Sequence, residues 1–143
     1  CSDCAPLCEG VAALFEAGVQ VKAMRDVTRG GLATVLNEWA RQSGHEIRLE
    51  EEALPVSKEV EAFCGILGLD PLTMGNEGKF VVAVAKQDES RAFAALRAAR
   101  YCKHAAIIGR GEGPGEGVVR MNTRLGGVRR IPMLYGEGLP RIC

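Results

Sequence analysis

Between Gln20 and Gly44 the apolar pattern of the chain changes period. Gln20 to Met24 reads as a strand, and after Asp26-Val27-Thr28-Arg29-Gly30-Gly31 the residues Leu32, Val35, Leu36 and Trp39 recur at helical spacing until Gly44 stops them. A strand delivered directly into a helix demands a layered fold, because each element has one apolar face to bury against another.

The alternation continues along the chain. Pro6 stands at a first turn, and Leu7, Val11, Leu14 and Phe15 extend a short amphipathic helix to Gly18. Ile47 and Leu49 alternate with charge in a strand; after Pro55, the residues Val60, Phe63, Cys64 and Leu67 mark a helix closed at Gly68. A loop from Asp70 to Gly78 precedes a buried strand from Lys79 to Ala85 and an alanine-rich helix from Asp88 to Tyr101. Ala105 to Gly109, Val118 to Met121 and Val128 to Ile131 are expected strands, and the glycine-rich stretch 111–117 has the composition of a flexible loop. The expected fold is α+β, helices covering a mixed or antiparallel sheet with a hairpin near the C-terminus. Residues 1–134 would form the domain and 135–143 a tail.

The chain has 143 residues, enough for one domain with a core that needs no staples. Lys plus Arg and Asp plus Glu balance at 18 each, so no net field recruits nucleic acid or an anionic membrane. The longest strongly apolar stretch, Phe80 to Ala85, is too short to span a bilayer, and the N-terminus lacks a signal-peptide layout. A soluble cytoplasmic protein is expected. Three of the six cysteines crowd the first eight residues, and the others stand alone at 64, 102 and 143, so reduced thiols are expected over a disulfide framework. Cys1, Cys4 and Cys8 have a spacing that suits a metal or one face of a helix; no histidine or fourth cysteine completes a site, and no metal ligand is assigned. His45 and His104 have no evident partner and receive no role. A first residue of cysteine inside a helix start suggests a chain that begins partway through a longer protein.

Three segments suggest chemistry. The chain ends Leu139-Pro140-Arg141-Ile142-Cys143, and a thiol with nothing downstream can enter another protein's cleft as a substrate does. The adjacent terminal carboxylate opposes thiolate formation and Arg141 favours it. An accidental terminal cysteine is the bland alternative. At Asp26 to Gly31, the N–H groups of a helix start, unobstructed by side chains at Gly30 and Gly31, suit phosphate, with Thr28 and Arg29 adding donors; a tight turn that needs glycine dihedrals explains the same residues. Asn76-Glu77-Gly78-Lys79 offers a carboxylate for general-base work and a cation for a charged group, or is an ordinary solvated turn.

In chain order, DVTRGGLATVLNE at 26–38, ALPV at 53–56, NEGK at 76–79 and LPRIC at 139–143 resemble the C-terminal half of the HypE family of hydrogenase maturation proteins. The resemblance covers essentially the whole chain. LPRIC is specific to that family, whereas D-x-T-x-G-G is shared with aminoimidazole ribonucleotide synthetase, selenophosphate synthetase and thiamine monophosphate kinase. One departure is Gly111, where the family tends to place a β-branched residue. The fold implied is an α/β/α layered C-terminal domain of the aminoimidazole ribonucleotide synthetase type, with partial ferredoxin-like topology.

The activity implied is that of a carbamoyl dehydratase. The terminal cysteine receives a carbamoyl group from the carbamoyltransferase HypF, the tail enters the protein's own ATP site, and phosphorylation of the carboxamide oxygen with loss of phosphate leaves a thiocyanate. Its cyanide passes to iron on the HypC and HypD scaffold for nickel-iron hydrogenase. By motif match Cys143 is the acceptor and Glu77 a candidate base. Asp26, Thr28, Arg29, Gly30 and Gly31 would organise phosphate or the tail, with Asn76 and Lys79 in support. The resemblance also implies ATP and magnesium, bound mostly by an N-terminal domain outside this sequence, and a homodimer of the full-length protein. By itself the fragment is expected to be inactive. A non-catalytic carrier or interaction module is the competing reading, and a kinase-like fragment with an incidental cysteine a third.

Overall fold

The structure, a computed structural model, describes residues 4–133. Its elements are α1 (Cys8–Glu16), β1 (Val21–Asp26), α2 (Gly31–Ser43), β2 (His45–Glu50), α3 (Lys58–Leu67), β3 (Phe80–Val84), α4 (Glu89–Ala98), β4 (Gly109–Pro114), β5 (Val119–Asn122) and β6 (Val128–Ile131). The fold is α+β. Two compact units share the chain, one built from residues up to 28 and 76–107, the other from 29–75 and from 108 onward.

In the first unit β1 and β3 form an antiparallel pair, Met24 opposite Val82 and Asp26 opposite Phe80. Leu14, Val19 and Ala92 are buried at its centre, ringed by Met24, Phe80, Val82, Val84 and Leu96. A methyl group added at Gly10 would lie 2.6 Å from the Cys102 sulfur, so glycine is what lets α1 approach that residue. Burial, then the nearby charge of Glu9, pushes the Cys102 thiol up from its ordinary value. Asp88 is buried but not orphaned: it accepts from the Gln20 N–H at 2.8 Å and pairs with Arg91. The Gln20 N–H first, then Arg91, holds its carboxyl below the usual aspartate range.

The second unit is a four-stranded sheet in the order β4-β2-β5-β6. β2 runs antiparallel to β4 and parallel to β5, and β5 and β6 make the expected C-terminal hairpin. Leu49, Val119, Met121 and Ile131 fill one face, and α2 contributes Ala33, Val35, Leu36 and Ala40 to the core. The other face is charged. Arg110, Arg48, Arg120 and Arg130 stand in register across the four strands; Glu46 pairs with Arg48 and Arg120, and Glu112 with Arg48 and Arg110.

Two expectations need correction. The strand placed at 105–109 begins instead at Gly109 and runs to Pro114, so much of the glycine-rich stretch is β4 and not flexible loop. At Gly109 a side chain would collide with the backbone of Arg48 and Leu49, while the alternating Arg110 and Glu112 join the ion-pair network, so pairing with β2 decides the conformation. Gly111 lies within that strand, opposite Ile47. On α3, the apolar residues that marked the helix are mostly uncovered: Cys64 is buried, but Val60, Phe63 and Leu67 are exposed. The helix is nonetheless well delimited, by the Ser57 hydroxyl accepting from the Val60 N–H and by left-handed Gly68.

Candidate functional site

β1 ends at Asp26, and the next residue is gripped on both sides by the 76–79 loop. The Val27 N–H donates to the Lys79 carbonyl at 3.0 Å, and its carbonyl accepts from the Asn76 N–H at 2.8 Å. Two bonds to one buried residue extend the β1–β3 pairing and hold the loop beside Asp26 and Thr28. Glu77 and Gly78 form the turn at the tip, with Glu77 and Lys79 exposed and Asn76 half-buried. Five of the sequence-predicted residues, Asp26, Thr28, Asn76, Glu77 and Lys79, thus belong to the first unit.

Arg29, Gly30 and Gly31 belong to the second unit, at the start of α2. Gly30 is the N-cap at φ +72°, and Gly31 follows at φ +63°. At Gly31 a Cβ would meet the Leu72 oxygen at 2.5 Å, the Thr73 carbonyl carbon at 2.7 Å and the Met74 oxygen at 2.8 Å. The turn therefore needs glycine for its backbone alone. The same helix start also suits an anion: Gly30 supplies no side-chain cap, and no acidic residue occupies the first turn of this 13-residue helix.

Sequence reasoning missed Asn37. Its buried amide donates to the Ala33 carbonyl at 2.8 Å and the Ile131 carbonyl at 3.2 Å, tying α2 to the last residue of β6. The available signal was a polar residue on the Ala33, Leu36, Ala40 stripe of the helix. Cys143 lies outside the described residues, as does Cys1. Cys4 and Cys8 are exposed, and no cluster suited to a metal ion occurs among the described residues. No described helix is long and apolar enough to cross a membrane.

The family described as AIR synthase related protein, C-terminal domain, matches residues 5–122. The chain belongs to that family. Within the AIR synthase related C-terminal domains, it is 47% identical over 142 residues to carbamoyl dehydratase HypE of Rhodobacter capsulatus, covering 99% of this chain and 42% of that protein. It superposes with a TM-score of 0.91 on a crystal structure of hydrogenase maturation protein HypE in complex with ATP, at 43% identity over 100% of this chain and 44% of that one. A HypE–HypF complex contains a chain matched with a TM-score of 0.85 and 37% identity, over 93% of this chain and 43% of that one. The chain thus spans about two fifths of the length of the curated relatives it matches.

Proposed function

We propose that this chain is the C-terminal part of a carbamoyl dehydratase serving nickel-iron hydrogenase maturation, with the Cys143 thiol as carbamoyl acceptor. The observation that carries the reading is its 47% identity to a carbamoyl dehydratase over 99% of its length. The clasp of the Asn76–Lys79 loop on Val27 supports it, since a carboxylate that serves as general base needs a fixed turn to carry it.

The chemistry explains the residue types. In a carbamoylated Cys143 the carboxamide oxygen is a poor leaving group, and forming S–C≡N removes that oxygen and two protons from nitrogen. ATP, when bound, supplies the phosphoryl group that lets the oxygen depart as phosphate. The N–H groups at the start of α2, with Thr28 and Arg29, would hold phosphate oxygens, and Glu77 would accept the nitrogen protons and pass them to water. Asp26 and the loop residues Asn76 and Lys79 would fix the segment and the tail. HypF would load the thiol, and the HypC and HypD scaffold would receive the cyanide at iron. ATP with magnesium, and a homodimer, belong to the longer protein in this proposal.

The test joins this chain to a nucleotide-binding half, carbamoylates the tail, and adds ATP and magnesium. Intact mass should report loss of water from the adduct, and Glu77→Gln should slow it about 10²–10⁴-fold. Phosphate release without loss of water would refute the dehydratase and leave a carrier that is loaded and converts nothing.

A further inference from the structure

Helix α3 carries an apolar stripe that its own unit does not cover. Val60, Phe63 and Leu67 follow i, i+3, i+7 spacing with Ile66 beside them, at 41%, 55%, 54% and 84% exposure respectively. Isolated exposed apolar residues are ordinary, but four on one helix face make a contiguous patch of roughly 400 Å². A stable complex of two folded proteins covers about 800 Å² on each partner, so this patch fits a short peptide better than a second copy of the chain.

A peptide of that kind follows β6. Residues 134–143, Leu-Tyr-Gly-Glu-Gly-Leu-Pro-Arg-Ile-Cys, contain Leu134, Tyr135, Leu139, Pro140 and Ile142. The strand that precedes them is fastened near α3, because Arg129 of β6 pairs at 2.8 Å with Asp70, just beyond the Gly68 cap of that helix. From Ile131 to Leu139 the extended chain reaches roughly 26 Å, against about 15 Å for the length of α3. Charge agrees as well. Glu59 sits one turn before Phe63 and has no ion pair among the described residues, and Arg141 is the one cation of the segment.

We propose that the exposed face of α3 is a docking site for the chain's own C-terminal segment, with Leu139 and Ile142 on the Val60, Phe63, Ile66 and Leu67 stripe and Arg141 against Glu59. The docked segment holds Cys143 at a resting station until a partner withdraws it. Its biological meaning rests on Cys143 being the carbamoyl acceptor, but the docking itself does not.

The test uses the 143-residue chain with Cys1, Cys4 and Cys8 changed to serine. Cys64 and Cys102 are buried, so a bulky maleimide reports Cys143. Labelling should be about 3–10-fold slower than for the free ten-residue peptide, as expected for a segment docked most of the time. Phe63→Ser and Ile66→Ser should each restore the peptide's rate, while Phe15→Ser, at an exposed residue of α1, should not. Protection that survives both α3 variants, or no protection at all, would overturn the proposal. Protection that disappears on dilution would overturn it in favour of a second copy. No ATP or carbamoyl group is used, so this outcome and that of the dehydration assay are independent.

Discussion

Replacing Gly31 by alanine should cost far more stability than replacing Gly44, although the two residues bound the same helix and share a left-handed backbone, at φ +63° and +67°. A Cβ in that conformation costs about 1–2 kcal/mol, partly offset by the reduced freedom of the unfolded chain, which leaves about 1 kcal/mol for Gly44→Ala. At Gly44 nothing lies within 4 Å of the added atom. At Gly31 the atom meets three backbone atoms of residues 72–74 at 2.5–2.8 Å, and backbone cannot rotate aside as a side chain can. Overpacking of that kind adds about 1–3 kcal/mol, for a total of about 2–4 kcal/mol. Urea unfolding followed by Trp39, the one tryptophan of the chain and a residue of α2, reads both variants with the same probe. Losses equal within about 0.5 kcal/mol would refute the crowding and leave the dihedral as the whole reason for glycine.

Asn37→Ala should lower stability by about 1–3 kcal/mol in the same assay, because the buried Ile131 carbonyl loses its side-chain donor. Gly10→Ala should destabilise the first unit by about 1–3 kcal/mol, and Cys102→Ala in the same chain should recover part of the loss; simple additivity in thermal melts would refute the contact. Asp88 has a folded pKa below its unfolded value, so its contribution is present above the unfolded value, near 4, and is lost as pH falls through the folded one. The Tm gap between wild type and Asp88→Asn should therefore be wide at pH 7 and narrow on acidification; a gap constant with pH would contradict this. At neutral pH, Cys102 should react with a disulfide reagent far more slowly than exposed Cys8, as timed by release of the reagent's chromophore.

Much of the fold was legible because its signals are local. Gly44 and Gly68 stop their helices where the apolar spacing breaks, and β6 occupies the residues expected of it. The misses come from distance. β4 reads as loop because glycine has no strand preference of its own, and only β2, more than fifty residues earlier, makes it extended. The parallel pairing of β2 with β5 leaves no mark in either segment, and an exposed stripe on α3 has the same spacing as a buried one. At the candidate site, the Asp26–Gly31 turn announced itself through its glycines, whereas Glu77 stood out only through resemblance, since an Asn-Glu-Gly turn is common and its attachment to Val27 is made by backbone alone.

The division of the chain also orders its birth at the ribosome. Every segment of the first unit has been made once residue 107 is polymerised, whereas β2 in the second must wait for β4 and β5, synthesised about sixty to seventy residues later. Until then Ile47 and Leu49 lie on a strand with both edges unfilled, the situation in which a nascent polypeptide recruits a chaperone or pairs with a neighbour. Slow translation between residues 50 and 109 would lengthen that window of vulnerability.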